Sequence, residues 1–136
     1  RASAMLPEQK IEILKARFDY ARECLQDAKL LLAGKSYRRA VNSAYNTIFH
    51  AMRAVLALDG VDANCHNGVI SEFRKRYLQT GIFDASLSWI IFTLSSVREG
   101  SDCSNSFVAS KAETVQKVQA AEEFLTEIQT YLSTQY

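Results

Sequence analysis

Apolar residues along the chain recur at alternating steps of three and four, the spacing that keeps side chains on one face of a helix. Ile11, Leu14, Phe18, Ala21, Leu25, Ala28 and Leu32 form the first such stripe. Pro7 in a first turn, with Glu8 at the positive end of the helix dipole, marks its start, and Gly34 marks its end. A second stripe joins Tyr37, Val41, Ala44, Tyr45, Ile48, Met52, Val55 and Leu56 in an arc of nearly half a circumference. A helix that wide in its apolar face meets more than one neighbour, and Asp59-Gly60 ends it.

After the turn-rich stretch VDANCHNG, a shorter helix over about residues 67–79 carries Val69, Ile70, Phe73 and Tyr77 inward and is closed by Gly81. Arg74, Lys75 and Arg76 near its end suit the dipole. A fourth helix runs from Asp84, a plausible N-cap, to about Val97 with Leu87, Ile90, Ile91 and Leu94 as its apolar face. Trp89 and Phe92 could stack bases, but a tryptophan on a core-forming helix reads as packing. The polar stretch REGSDCSNSF then reads as a connection, and a fifth helix resumes near Val108 with Val115, Val118, Ala121, Leu125, Ile128 and Leu132. The pattern holds no strand and no internal repeat. It predicts an all-α protein, an antiparallel up-and-down bundle of four main helices plus one short helix.

Composition changes this picture little. The 136 residues suffice for one domain, read as residues 5–136, with RASA ahead of Met5 read as a cloning remnant. A net charge of +1 gives no whole-chain argument for a polyanion partner. No run of apolar residues is long enough to span a bilayer, so a cytoplasmic protein is expected. Cys24, Cys65 and Cys103 show no CxxC pair, and His50 and His66 are the two histidines. Metal-ligand spacing is therefore missing, and neither a metal nor a cofactor is expected. The chain also lacks a Gly-rich phosphate loop, HExxH and GxSxG.

Charge matters locally. Between Ala28 and Leu58 there is no Asp or Glu, while Lys29, Lys35, Arg38, Arg39 and Arg53 bring five positive charges. At about 100° per residue, Arg39, Asn42, Asn46, His50 and Arg53 fall on one narrow ridge opposite the apolar arc. Arginine pairs bidentately with phosphate or carboxylate, so the ridge suits a nucleic acid, a nucleotide or an acidic helix. The same ridge also suits an ordinary salt-bridged face, with helices one and five supplying the acids. A lone histidine such as His50 is most often a structural residue. Arg98 follows an apolar helix, where it can cap terminal carbonyls or pair with Asp102 four residues on.

The segments SYRRAVNSAYNTIFHAMRAVLALDG, HNGVISEFRKRYLQTGIFD and VREGSDC before a long final helix resemble the HEPN superfamily, in its small prokaryotic branch. That resemblance implies a helical bundle, a homodimer, and often a minimal nucleotidyltransferase as partner. Many such proteins are metal-independent RNases of toxin-antitoxin or defence systems, with an arginine followed closely by a histidine. Here Arg98 is present, but Cys103, Ser104 and Asn105 stand where the histidine would fall. Arg98 and Asp102 are carried over as family-like positions, with Cys103 where the narrower branch has tyrosine. The resemblance therefore implies a non-catalytic accessory protein that binds a nucleotide, RNA or a nucleotidyltransferase. The alternative is an RNase toxin with a rewired site that uses Arg98 and a distant histidine, His50 or His66.

Overall fold

The computed structural model describes residues 8–103 and 109–135, and the side chains of all of these except 97–103. Its helices are α1 (Glu8–Ala33), α2 (Tyr37–Ala57), α3 (His66–Phe73), α4 (Ser86–Cys103) and α5 (Lys111–Ser133), with a π-helical turn, Arg74–Leu78, continuing α3. The expected helical bundle is therefore the observed fold.

Helix α2 is its centre. Thirteen of its 21 residues are buried, because it packs against α1, α5, α4 and α3 together. Burying a side chain such as Ile48, Met52 or Leu56 contributes about 1.5–3 kcal/mol, so among the described residues this helix supplies more of the core than any other element. The chain folds back between α1 and α2, which places Arg17 beside Arg53 and Tyr20 beside His50. Lys29 likewise meets Glu122 while Phe18 and Arg22 share a cleft with Gln129 and Leu132, so α1 runs antiparallel to both α2 and α5. At one end of the bundle Phe73, Tyr77, Phe83, Phe124 and Tyr131 pack as an aromatic cluster with neighbouring rings 5.0–5.9 Å apart.

The helix ends show the local rules at work. Ser110 caps α5 by accepting the Glu113 N–H at 3.1 Å, while the Glu113 carboxylate accepts the Ser110 N–H in return. This cap starts the helix at Lys111; Val108, the predicted start, lies outside the described residues. Asp84 accepts the Ser86 N–H at 2.9 Å in the turn that leads into α4.

Two expectations are corrected. Helix α4 does not stop near Val97 but continues through REGSDC to Cys103, so Arg98 and Asp102 belong to a helix and not to a loop. One interior glycine costs a helix only about 1 kcal/mol, too little for Gly100 to end it. Trp89 is not core: it is 67% exposed, and Phe92 stacked on it is 57% exposed. The buried face of α4 is Leu87, Ile90, Ile91 and Leu94, and at 100° per residue Trp89 and Phe92 fall on the other side. Lys75 and Arg76 stand in the last turn of the segment that continues α3, where the sequence places them. They occupy the π-helical turn, where Arg76 pairs with Glu72 at 2.8 Å and Asp59 at 3.6 Å.

Candidate functional site

The strip of α2 that the bundle leaves open is the ridge read from the sequence. Arg39 is exposed, and Asn42, Asn46, His50 and Arg53 are half-buried along the same side. The apolar arc takes the other positions into the core, so the polar residues are left at the surface by the helical period itself.

At its carboxyl end the ridge is joined by residues from other elements. Arg17 of α1 donates from Nη1 to the backbone carbonyl of Arg53 at 3.0 Å and from Nη2 to Asp62 Oδ1 at 2.9 Å. Arg53 donates from Nε to the Ala63 carbonyl at 3.2 Å, and its Nη2 lies 3.7 Å from the same Asp62 oxygen. Asp62 belongs to the loop between α2 and α3. The ridge is thus not wholly without a counter-ion: a loop carboxylate supplies one, and α5 supplies Glu122 for Lys29 at 2.9 Å. The ion pairs are wetter than the arginines themselves, since the Arg17 and Arg53 side chains are 15% and 21% exposed and Asp62 is 77% exposed.

His50 lies edge-on to Tyr20 at 4.5 Å and to Phe49 at 5.1 Å. Burial pushes its imidazole down to about 4, and the charges of Arg53, Arg17 and His66 push the same way. It is therefore neutral near pH 7. His66, the first residue of α3, meets the same aromatic ring from another direction, 4.6 Å from Phe49. Its Nδ1 is 2.8 Å from the hydroxyl of the buried Tyr45, with donor and acceptor roles set by the tautomer. Arginine forks beside an imidazole fixed by a tyrosine can hold an anion.

The structure therefore gathers His50, Arg53, Arg17 and His66 around Phe49 and the loop, while Arg39, Asn42 and Asn46 extend away along α2. The side chains of Arg98 and Asp102 lie outside the described residues. Sequence reasoning missed Arg17. Folding the chain about the turn near residue 35 pairs positions that sum to about 70, which would have set Arg17 against Arg53. Cys65, beside His66, caps α3 by accepting the Gly68 N–H at 3.4 Å. Among the described residues no group of three His, Cys, Asp or Glu gathers to hold a metal, and no helix is long and apolar enough to cross a membrane.

The chain is similar to several known proteins. It is 39% identical over 74 residues to a UPF0332 protein of Thermotoga maritima, 54% of each chain. It is 34% identical over 88 residues to "Putative toxin MJ0605" of Methanocaldococcus jannaschii, 65% of this chain and 66% of that one. A second protein of that organism, "Putative toxin MJ0142", is 24% identical over 119 residues, 88% of this chain and 81% of its own. The first two matches span between about half and two thirds of those relatives' length. The model of the HEPN domain matches residues 14–131, from the first buried leucine of α1 to the last turns of α5. The chain belongs to the HEPN domain family.

Proposed function

We propose that this HEPN domain binds RNA along the open face of α2 and acts as a non-catalytic accessory component of a cytoplasmic toxin-antitoxin or defence-type system. A homodimer and a nucleotidyltransferase partner belong to the same reading. The observation that carries it is the meeting of two arginine forks, from α1 and α2, with two histidines, from α2 and α3, at one end of a ridge that begins at Arg39. Two relatives that carry the name of toxins support the biological setting. A nucleotide presents the same phosphate chemistry but is too short to need a ridge from Arg39 to Arg53, which spans about four helical turns.

Neutralising phosphates releases counterions, so affinity for a single-stranded oligoribonucleotide should fall as salt rises. With about three arginine contacts, binding should weaken roughly tenfold or more between about 50 and 200 mM salt, and Arg39→Ala should lower the slope by about 0.7. Arg39 is exposed, so this variant leaves the core intact. Salt-independent binding, or a slope unchanged by the substitution, removes the reading.

A specific contact favours a second reading, metal-independent RNA cleavage. A base must be held in one orientation to act, and Tyr45 holds His66 at 2.8 Å. Cleavage of the same oligonucleotide in chelator, lost in His66→Gln, would select it.

A further inference from the structure

Arg17 and Arg53 form an under-compensated pair. Both side chains are mostly buried, and both are fixed by backbone carbonyls, Arg53 O for one and Ala63 O for the other. Their forks are therefore set in place before any ligand arrives. Among the described residues one carboxylate faces them, Asp62, and it meets both through a single oxygen, Oδ1, at 2.9 and 3.7 Å. Two cations and one anion leave a positive excess at that place. Its field is visible in the neighbours: Arg17 and Arg53 both press the His50 imidazole toward its neutral form, and Arg17 lowers the proton affinity of Arg53 itself, second only to burial.

Asp62 is poorly matched to this place. It is 77% exposed on a loop, and exposed ion pairs contribute little in water. A phosphate group carries more oxygens than the one that Asp62 offers, and it can satisfy both forks at once with shorter, charge-assisted bonds. We propose that the Arg17–Arg53 pair is a seat for one phosphate group, and that Asp62 occupies that seat in the free protein and is displaced when the phosphate enters. This rests on the RNA reading above for its class of ligand and adds its regulation: the α2–α3 loop competes with the ligand for the same donors. The displaced loop is also the one that leads into His66, so ligand entry and the placement of that imidazole are mechanically joined.

His50 reports on the seat without being part of it. The groups facing it are Tyr20, Phe49, Arg53, Arg17 and His66, and a phosphate between the arginines would offset their field and raise its pKa. The test is a titration of the full chain with inorganic phosphate, followed by NMR of the His50 ring. Phosphate should raise the His50 pKa from about 4, and in Asp62→Ala half-saturation should come at about tenfold lower phosphate or less. Arg17→Lys, which keeps the charge but loses the fork, should weaken binding by about tenfold in either background. A nucleoside monophosphate and an oligoribonucleotide with a 5′-hydroxyl end then separate a terminal phosphate from an internal phosphodiester as the occupant.

Phosphate that leaves His50 unmoved in the wild type and in Asp62→Ala overturns the proposal, as does equal affinity in the two proteins. If phosphate moves His50 but RNA does not bind, the RNA reading fails and the seat stands. If RNA binds with His50 unmoved and Asp62→Ala without effect, the seat fails and the RNA reading stands.

Discussion

His50 is a half-buried imidazole that two guanidiniums discourage from taking a proton. Its pKa of about 4, against an ordinary 6.5, has a direct effect on stability. Between these values the unfolded chain binds a proton that the folded chain refuses, so unfolding becomes easier as pH falls from about 6.5 toward 4. Above 6.5 the contribution is full and flat. Discounted for the part of the ring that solvent still reaches, the loss is about 1–2 kcal/mol. Urea unfolding at about pH 7.5 and about pH 5 should show most of this drop in the wild type and little of it in His50→Gln. Glu72, held below the usual carboxylate range chiefly by its hydrogen bond from Arg76, and Asp84, held there by the Ser86 N–H, lose their contributions at lower pH. They therefore act in both proteins alike. The Arg53 part of the arginine field around His50 was legible in the sequence, since both lie on the ridge, whereas the Arg17 part was not, because Arg17 arrives from another helix.

At the scale of the element, the end of α1 shows where sequence rules mislead. Gly34 stands just past the end of α1, where the sequence places it, yet the left-handed position that closes the helix falls on Lys35, with φ of 65°. Ser36 N–H bonds Leu31 O at 2.8 Å and Lys35 N–H bonds Leu32 O at 3.0 Å, the paired closure that fixes which residue turns left. The glycine falls one position too early to relieve it. Gly60 and Gly81, with φ of 72° and 79°, do stand where the sequence assigns them. Lys35→Gly should therefore stabilise the protein by about 1 kcal/mol, since a left-handed non-glycine residue costs about that much. A raised urea midpoint with an unchanged slope would show it; a lowered midpoint would mean that the Lys35 side chain contributes more than its backbone costs. The helices themselves were legible because the three-four period is a property of one segment. Their ends were less so, because a helix stops where its last carbonyls find partners, and those depend on residues that propensity does not rank.

On the scale of the whole molecule, the same division separates what could be read from what could not. The ridge from Arg39 to Arg53 lies on one helix, and plotting angles recovers it. Arg17, Asp62 and His66 come from α1, a loop and α3, and only the packing of those elements onto α2 brings them to it. The aromatic pair on α4 was misread for a related reason: Trp89 and Phe92 are large and apolar, but their angular positions, not their chemistry, decide that they face out. This has a consequence for how the protein can be watched. Trp89 is the single tryptophan in the chain and is already bathed in water. Its fluorescence should change colour little when the chain unfolds in urea, even while circular dichroism records the loss of the helices. Anything that covers α4, in contrast, would shift that emission toward the blue, so the chain carries a built-in optical probe that is nearly blind to its own folding and responsive to company.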